Sequence, residues 1–515
     1  MRKARIGLLL ATVALCAGVS ASQAFAAKSA TLTVAKTSVG SRPAVFVDAK
    51  GTINVLWSST AGEYFTLKYA RKPAGAKGFA EVTLPNVPDT DGETPFIYEP
   101  SSGVLEIILT PTLDVYGWRS TDDGASWTSI DASGLNALRS QEIYVSAELL
   151  KEAQGGPVEY AGSTGYIGPI VQLNDELTGA TTLASTVEAL AGVEVARSAD
   201  GNTFVLAAPS EENESGPVKL PFQVNSGTTG SVEFPCPGVQ SLAAAQSTAV
   251  VLFSGCGGTW TRTISSGGAI GPLVKLGPAP NTGHEEGVNG EPFVEMIAER
   301  SGKLAAIYVV PGGDLAVAHS SDGAHWTSGA GYVPVPEKAS ARVATDASLS
   351  TGAADWLGVS SETGSERYAI ELVALSQTYK PPAPPSGKGI PSAHHGSLGS
   401  IAAVAPGKIA LKAFRKTGKV KVRVVSALTE SVSAEISVSR TRGNTTTDIC
   451  SAGVKAKLKA HQAKTITLTC AVSGVFVIGG GSQVSTKPTD AKKGDAVAFA
   501  FANRNGSLAI ASKLG

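Results

Sequence analysis

The sequence predicts an all-β protein: a β-propeller of six or seven blades, seven favoured, followed by a β-sandwich. Three observations carry this. A hairpin returns about every fifty residues, a turn motif marks the second half of two repeats, and the periodicity stops beyond a proline-rich stretch.

The hairpin has an apolar run, a small or charged turn ending in Gly, and a second apolar run. Val45-Phe46-Val47 passes through Gly51 into Ile53-Asn54-Val55-Leu56-Trp57, and Phe96-Ile97-Tyr98 through Gly103 into residues 104–109. Val193-Glu194-Val195 passes through Gly201 into Phe204-Val205-Leu206, and residues 293–297 through Gly302 into 304–309. The glycines are 52, 98 and 101 residues apart, so the longer intervals each hide a copy. Gly155, the Gln246-Ser247 pair and Gly352 supply the hidden copies and a last one, giving seven hairpins in residues 40–378. Repeats of this length built from short strands are the mark of a propeller.

The second half of a repeat carries Ser120-Thr121-Asp122-Asp123-Gly124-Ala125-Ser126-Trp127, which reads Ser-x-Asp-x-Gly-x-x-Trp. A second copy ends in Asp322-Gly323-Ala324-His325-Trp326; counted back from its Gly, Ser321 stands in the acid's place. Such a turn suits the two outer strands of a blade. Gly supplies positive φ, the carboxylate accepts turn amides, and Trp packs beneath. It resembles the Asp-box, or BNR repeat, of the sialidase-like propellers.

That resemblance implies a sugar-processing fold, and with it an Arg two positions before the Pro that opens the first blade. Residues 43–52, from Pro43 to Thr52, look like the sequence after that Pro, but the Arg's place falls on Ser41 and the following Ile's on Arg42. A one-residue shift turns a strand side chain to the other face, and fold does not confer activity. The expectation is therefore a non-catalytic propeller that binds a glycan or a protein. The alternative is an exo-glycosidase of sialidase type.

The first 26 residues read as a secretory signal: Arg2, Lys3 and Arg5, an apolar core over 6–15, and Ala24-Phe25-Ala26 as the cleavage site. Leu15 is too bulky for lipidation at Cys16, and no other apolar run would span a membrane. In an oxidising compartment the other four cysteines suit two local disulfides, Cys236 with Cys256 and Cys450 with Cys470. Residues 379–398 form a linker, stiff through 381–385 and flexible after. Short alternating runs over 399–515, at 408–414, 420–425, 432–438, 465–472 and 496–502, fit an immunoglobulin-like sandwich. The segments 149–152 and 183–190 suit single helical turns.

The net charge of zero hides a split. Residues 394–515 hold 18 Lys and Arg against 5 Asp and Glu, a balance of +13, while 6–393 balance at −16. The basic residues alternate with apolar ones (Lys419, Lys421, Arg423; Lys455, Lys457, Lys459), so each set lies on one strand face. Two readings stay open: a solubilising surface, or attachment to an anionic envelope polymer. An exported chain without an aromatic-basic surface is not a nucleic-acid binder.

Propeller ligands sit where inter-blade loops gather. Two such loops end alike: Asp89-Thr90-Asp91-Gly92-Glu93-Thr94-Pro95-Phe96, and the run from His284 and Glu285 to Gly290-Glu291-Pro292-Phe293. Glu93 and Glu291 should stand at matching positions, with Arg42 at the corresponding place in the first blade. Asp91, Glu93 and Glu291 are the candidates for acid–base work, and the whole set for gripping sugar hydroxyls; solvent-facing turns are the simpler reading. Asp89-x-Asp91-Gly92 resembles part of a calcium loop without its remaining ligands, so the expectation is no cofactor, with Ca²⁺ as the alternative these carboxylates leave open. Arg119 and His319, beside the Asp-box turns, read as scaffold.

Overall fold

The computed structural model describes residues 31–515 apart from short stretches, the longer ones being 38–42, 89–94, 110–115, 132–146, 153–158, 174–179, 208–215, 280–293, 336–347 and 351–355. The side chains of 147–192 lie outside the description too, as do the predicted signal and Cys16.

Seven four-strand blades follow one another, blades 3 and 4 being joined into one eight-stranded sheet by parallel pairing of their first strands at Lys151–Ala196 and Glu152–Arg197. After β1 (Thr31–Thr37), blade 1 takes β2–β5 (Ala44–Val47, Ile53–Ala61, Tyr64–Lys72, Ala80–Val82) and blade 2 takes β6–β9 (Phe96–Ser101, Val104–Leu109, Tyr116–Ser120, Thr128–Ile130). Blade 3 takes β10–β13 (Ala147–Glu152, Glu159–Ser163, Ile167–Leu173, Ala180–Glu188), and blade 4 takes β14–β17 (Val193–Arg197, Thr203–Ala207, Val218–Val224, Thr228–Phe234). Blade 5 takes β18–β21 (Val239–Ala244, Thr248–Gly255, Gly258–Ser265, Val274–Gly277), and blade 6 takes β22–β25 (Val294–Ala298, Leu304–Val309, Leu315–Ser320, Thr327–Val333). Blade 7 takes β26–β28 (Ser348–Leu349, Trp356–Gly364, Arg367–Ala374), with β1 paired antiparallel to β28 as its fourth strand. Within each blade the strands are called A to D from the first in the ring.

All seven predicted hairpins fall between strands A and B. Gly51, Gly103, Gly201 and Gly302 there have φ of 79°, 82°, 85° and 78°, a region that costs any residue with a Cβ. In blade 1, Asp48 Oδ1 accepts the amides of Lys50 and Thr52 at 2.9 and 2.8 Å, so the turn satisfies its own backbone. The apolar runs on either side bury against the neighbouring blade. Leu56, Tyr69, Leu105, Ile107 and Trp118 form one such seam, and Leu252, Met296, Leu304 and Tyr308 belong to another.

Three expectations need correction. The propeller starts at Thr31, not at 40, because β1 closes the ring; Leu32 and Val34 of that strand pack on blades 1 and 7. Segments 149–152 and 183–190 are not helical turns: β10 and most of β13 occupy them, and pairing in the sheet overrides weak local preference. The strand expected at 408–414 is the two-residue β31 (Lys408–Ile409) followed by α1 (Leu411–Thr417). Leu, Lys, Ala and Arg favour that helix. Phe414 anchors it in the core, and Gly418 ends it at φ 62°, its amide reaching the Phe414 carbonyl at 2.7 Å.

The sandwich begins at β29 (Ala393–Leu398), within the predicted linker. One sheet orders β29, β30 (Ile401–Pro406), β32 (Lys419–Ser426) and β35 (Lys464–Thr469). The other orders β31, β40 (Gly506–Leu514), β39 (Ala496–Asn503), β33 (Glu430–Arg442), β34 (Thr445–Leu458) and β36 (Ala471–Val472). A separate pair, β37 (Phe476–Ile478) and β38 (Ser482–Val484), completes the strands described. Val422, Val424, Val432, Ile436, Phe499 and Phe501 fill the space between the two sheets. Both disulfides form, with S–S distances of 2.03 Å for Cys236–Cys256 and 2.05 Å for Cys450–Cys470.

The two domains touch through an apolar seam. Tyr379 pairs with Tyr332 of strand D in blade 6, amide to carbonyl in both directions at 2.7 and 2.9 Å. It also packs on Ala427 and Leu428 of the sandwich. Its hydroxyl donates to the buried Asp314, whose other oxygen accepts the Val335 amide at 3.1 Å. Beyond it the linker is held rather than loose, since the Ser386 carbonyl accepts Arg423 Nη1 at 3.0 Å.

Candidate functional site

The two Asp-box turns lie between strands C and D of blades 2 and 6. Ser120 Oγ accepts the Gly124 amide at 2.8 Å and donates to Asp122 at 2.8 Å; Asp122 in turn accepts the amide and hydroxyl of Ser126 at 2.8 and 2.7 Å. These bonds, led by the Ser126 hydroxyl, hold the Asp122 carboxyl down at about 2. In blade 6 the acid's place belongs to Asp322, not Ser321. The turn is one residue shorter, Ser320 keeps its bond to the Gly323 amide at 2.8 Å, and Asp322 accepts the amides of Ala324 and His325 at 2.9 and 2.8 Å. His325 Nδ1, 2.7 Å from Asp322, leads in holding that carboxyl well below the usual range.

Neighbouring charges are also held in place. The buried Glu106 accepts Arg119 Nε at 2.8 Å and the Tyr98 hydroxyl at 2.7 Å. His319 Nδ1 lies 3.2 Å from Glu299, and Lys50 reaches from the A–B turn of blade 1 to Asp123 at 2.6 Å. This end of the molecule ties blade to blade.

The opposite end, where B runs into C and D into the next A, is where the sequence places a ligand. Arg42, Asp89, Asp91, Glu93, His284, Glu285 and Glu291 all lie outside the described residues. Among those described, no group of three or more His, Cys, Asp or Glu could hold a metal. What the structure does place at this end is the Cys236–Cys256 bridge and a crevice of about 140 Å³ between the outer strand of blade 5 and blade 6. Leu276 and Pro278 form one wall, Tyr308, Val310 and Tyr332 the other, with Ser328 beside them. Burial pushes the Tyr308 phenol up to about 12, the nearby Tyr332 adding to it. Sequence reasoning missed both tyrosines. Each sits in or beside an apolar run like those that build the blades, and only the neighbouring blade makes them a wall.

On the sandwich, Lys419 and Lys421 alternate with buried Val420, Val422 and Val424, and Lys455, Lys457 and Lys459 with buried Ala456 and Leu458. All five lysines are exposed, and among the described residues none pairs with a propeller carboxylate. The domains thus meet through tyrosine, alanine and leucine, leaving the basic faces open.

No family model matches the chain, and no curated protein does. Solved structures give distant likenesses. A fungal lectin from Aleuria aurantia, described as a six-bladed β-propeller, is 11% identical over 57% of this chain and 96% of its own, with a TM-score of 0.33. The GH93 α-L-arabinofuranosidase of Fusarium graminearum is 12% identical, covering 66% and 94%, with a TM-score of 0.33. TolB from Acinetobacter baumannii is 11% identical, covering 64% and 80%, with a TM-score of 0.32. Among the described residues no helix is long and apolar enough to cross a membrane.

Proposed function

We propose that the protein is an exported, non-catalytic propeller that binds a glycan or a surface protein, with its sandwich domain attached to an anionic polymer of the cell envelope. The observation that carries this reading is the five exposed lysines, four on β32 and β34 and Lys459 just past β34, with no partner among the described residues, in a domain of balance +13 that follows residues 6–393 of balance −16. Lysine stripes of this kind give attachment through charge, and such attachment weakens as the Debye length shrinks from about 30 Å at 0.01 M salt to about 10 Å at 0.1 M. Export rests on the leader-like residues 1–26 and fits two disulfides.

The test is co-sedimentation of the mature chain with envelope fragments over that salt range. Binding that falls steeply with salt, and falls again in Lys419→Glu/Lys421→Glu, supports the reading. Absence of binding at low salt rejects attachment. The second reading, an exo-glycosidase of sialidase type, is favoured by the Ser120-to-Trp127 turn and opposed by Ser41 in the place of the family's Arg. It requires release of 4-methylumbelliferone from a sialoside or related glycoside, abolished by Glu291→Gln or Asp91→Asn. A panel of glycosides left intact rejects it.

A further inference from the structure

The crevice between blades 5 and 6 has three features of a built site. It lies at the ligand end: Gly277 closes strand D of blade 5, Tyr308 and Val310 stand where strand B of blade 6 ends, and Tyr332 is near the end of strand D. The chain then runs from Pro278 directly into the inter-blade loop that carries His284 and Glu291.

Second, Tyr308 is 3% exposed, lines the crevice, and its hydroxyl finds no hydrogen-bond partner among the described residues. The oxygen is not one of the fully buried polar atoms left without a partner, so it is open to the crevice and to what enters it. Only Gly277 allows it there, since a Cβ at 277 would lie 2.8 Å from the Tyr308 oxygen. Third, the far wall is braced from behind. Tyr332 meets the ring of Tyr379 edge-on at 6.1 Å, and Tyr379 is clamped by Asp314 and the sandwich.

Size and chemistry define the occupant. A closed apolar cavity of roughly 150 Å³ accepts benzene; this crevice is of that scale at about 140 Å³ but open on one side, so a larger ring can seat a face in it with its rim outside. Among the described residues no charged side chain lines it, so these walls offer an ionised group no counter-charge for the water it would lose. Apolar walls with hydroxyls from Tyr308, Tyr332 and Ser328 suit a ring with apolar faces and hydroxyls on its rim. We propose that this crevice binds one neutral pyranose unit, the Tyr308 hydroxyl bonding a ring hydroxyl. This rests on the glycan-binding reading above and gives it a location and a substrate class.

The test is calorimetric titration of the mature protein with methyl glycosides of glucose, galactose and mannose, and with methyl glucuronide as the charged counterpart. The expected result is binding of at least one neutral glycoside, at least tenfold tighter than the glucuronide. Tyr308→Phe, which keeps the ring and the packing, should weaken it about fivefold to tenfold, as loss of one hydrogen bond does. Gly277→Ala, which crowds the phenol, should weaken it further, and Lys219→Ala, on the exposed face of blade 4, should leave it unchanged. Failure of all three neutral probes, equal affinity for the glucuronide, or binding indifferent to Tyr308→Phe and Gly277→Ala overturns the proposal. So does phenylalanine amide displacing the bound sugar while binding tighter itself, which would make this a peptide side-chain pocket. Glycan binding lost in Glu291→Gln but kept in Tyr308→Phe would leave the glycan-binding reading standing and remove only this site.

Discussion

The C–D turns of blades 2 and 6 hold the same positions with different parts. Both keep a Ser whose hydroxyl accepts the turn Gly amide at 2.8 Å, an Asp that accepts amides further on, and a Trp. In blade 2 the Trp is the deeper element. Trp127 is buried and meets Tyr69 of blade 1 edge-on at 5.0 Å, while its ring nitrogen has no partner among the described residues. In blade 6 the Trp is half-buried and bonded, Trp326 Nε1 donating to the Gly323 carbonyl at 3.0 Å. The first turn is a deep anchor into the neighbouring blade; the second, its Trp only half-buried against the cluster shared by blades 5 and 6, is a shallower one. The loss of one residue is absorbed because the acid is located by its spacing from Ser (120 to 122, 320 to 322), not from Gly.

The largest effect should come from removing the anchor. Trp127→Ala leaves a cavity beside Tyr69 and should cost about 3–4 kcal/mol; Trp326→Ala should cost about half of that. Thermal unfolding of the two variants reads the difference directly, and equal losses would show that both tryptophans anchor equally deeply. Changing Trp to Phe sharpens the contrast in the other direction. Trp326→Phe loses a hydrogen bond and should cost about 1 kcal/mol beyond its lost contacts, whereas Trp127→Phe loses no bond.

The turn glycines come next. Gly124 has φ 81° and Gly323 φ 73°, and each faces the preceding blade. A methyl at 124 would lie 2.0 Å from the Tyr69 hydroxyl, which is itself bonded to Asn54 at 2.6 Å; at 323 it would lie 2.3 Å from a Val250 methyl. The left-handed conformation costs about 1 kcal/mol for alanine and crowding about 1–3 more. Gly124→Ala should be the more destabilising, because Val250 can turn and the phenol, held by Asn54, cannot. Chemical denaturation in which Gly323→Ala loses as much stability would remove that distinction.

These turns also show what the chain made legible. The A–B hairpins were readable because positive φ demands Gly at Gly51, Gly103, Gly201 and Gly302, and that demand recurs with the blade. Ring closure by β1 was not, since a strand donated from far away in sequence brings no hairpin with it. Helix α1 was hidden because 408–414 alternates like a strand; Gly418, its left-handed stop, was the overlooked signal. The acid of the second turn was misplaced by counting from the wrong residue. Tyr308 and Tyr332 give no sign in sequence, because a crevice belongs to two blades at once, and the inter-blade acids that did give a sign lie outside the described residues.

The smallest effect separates the turns by pH. Ser126 is the side-chain partner of Asp122, and its hydroxyl does not titrate in the accessible range. His325 is the partner of Asp322, and their pairing raises the His325 pKa above its ordinary value. A group whose folded pKa is raised contributes stability that is fully present below its free value, about 6.5, and is lost as pH rises through the folded value. The blade 6 turn should therefore loosen between neutral and mildly alkaline pH while the blade 2 turn does not change. Because His325 is fully exposed, the global change is small, and the local one is what a measurement should follow. NMR titration should give His325 an elevated midpoint and move the Ala324 and His325 amides with it, leaving the Ser126 amide still. At the acid end both turns should respond alike. The Asp122 and Asp322 pKa values are depressed, so their contributions are present above the free value of about 4 and fade as pH falls toward 2. In His325→Ser the neutral-to-alkaline response should vanish and the acid response should remain. A response that persists without the imidazole would show that the His325–Asp322 pair is not its origin, and the two turns would then differ in packing alone.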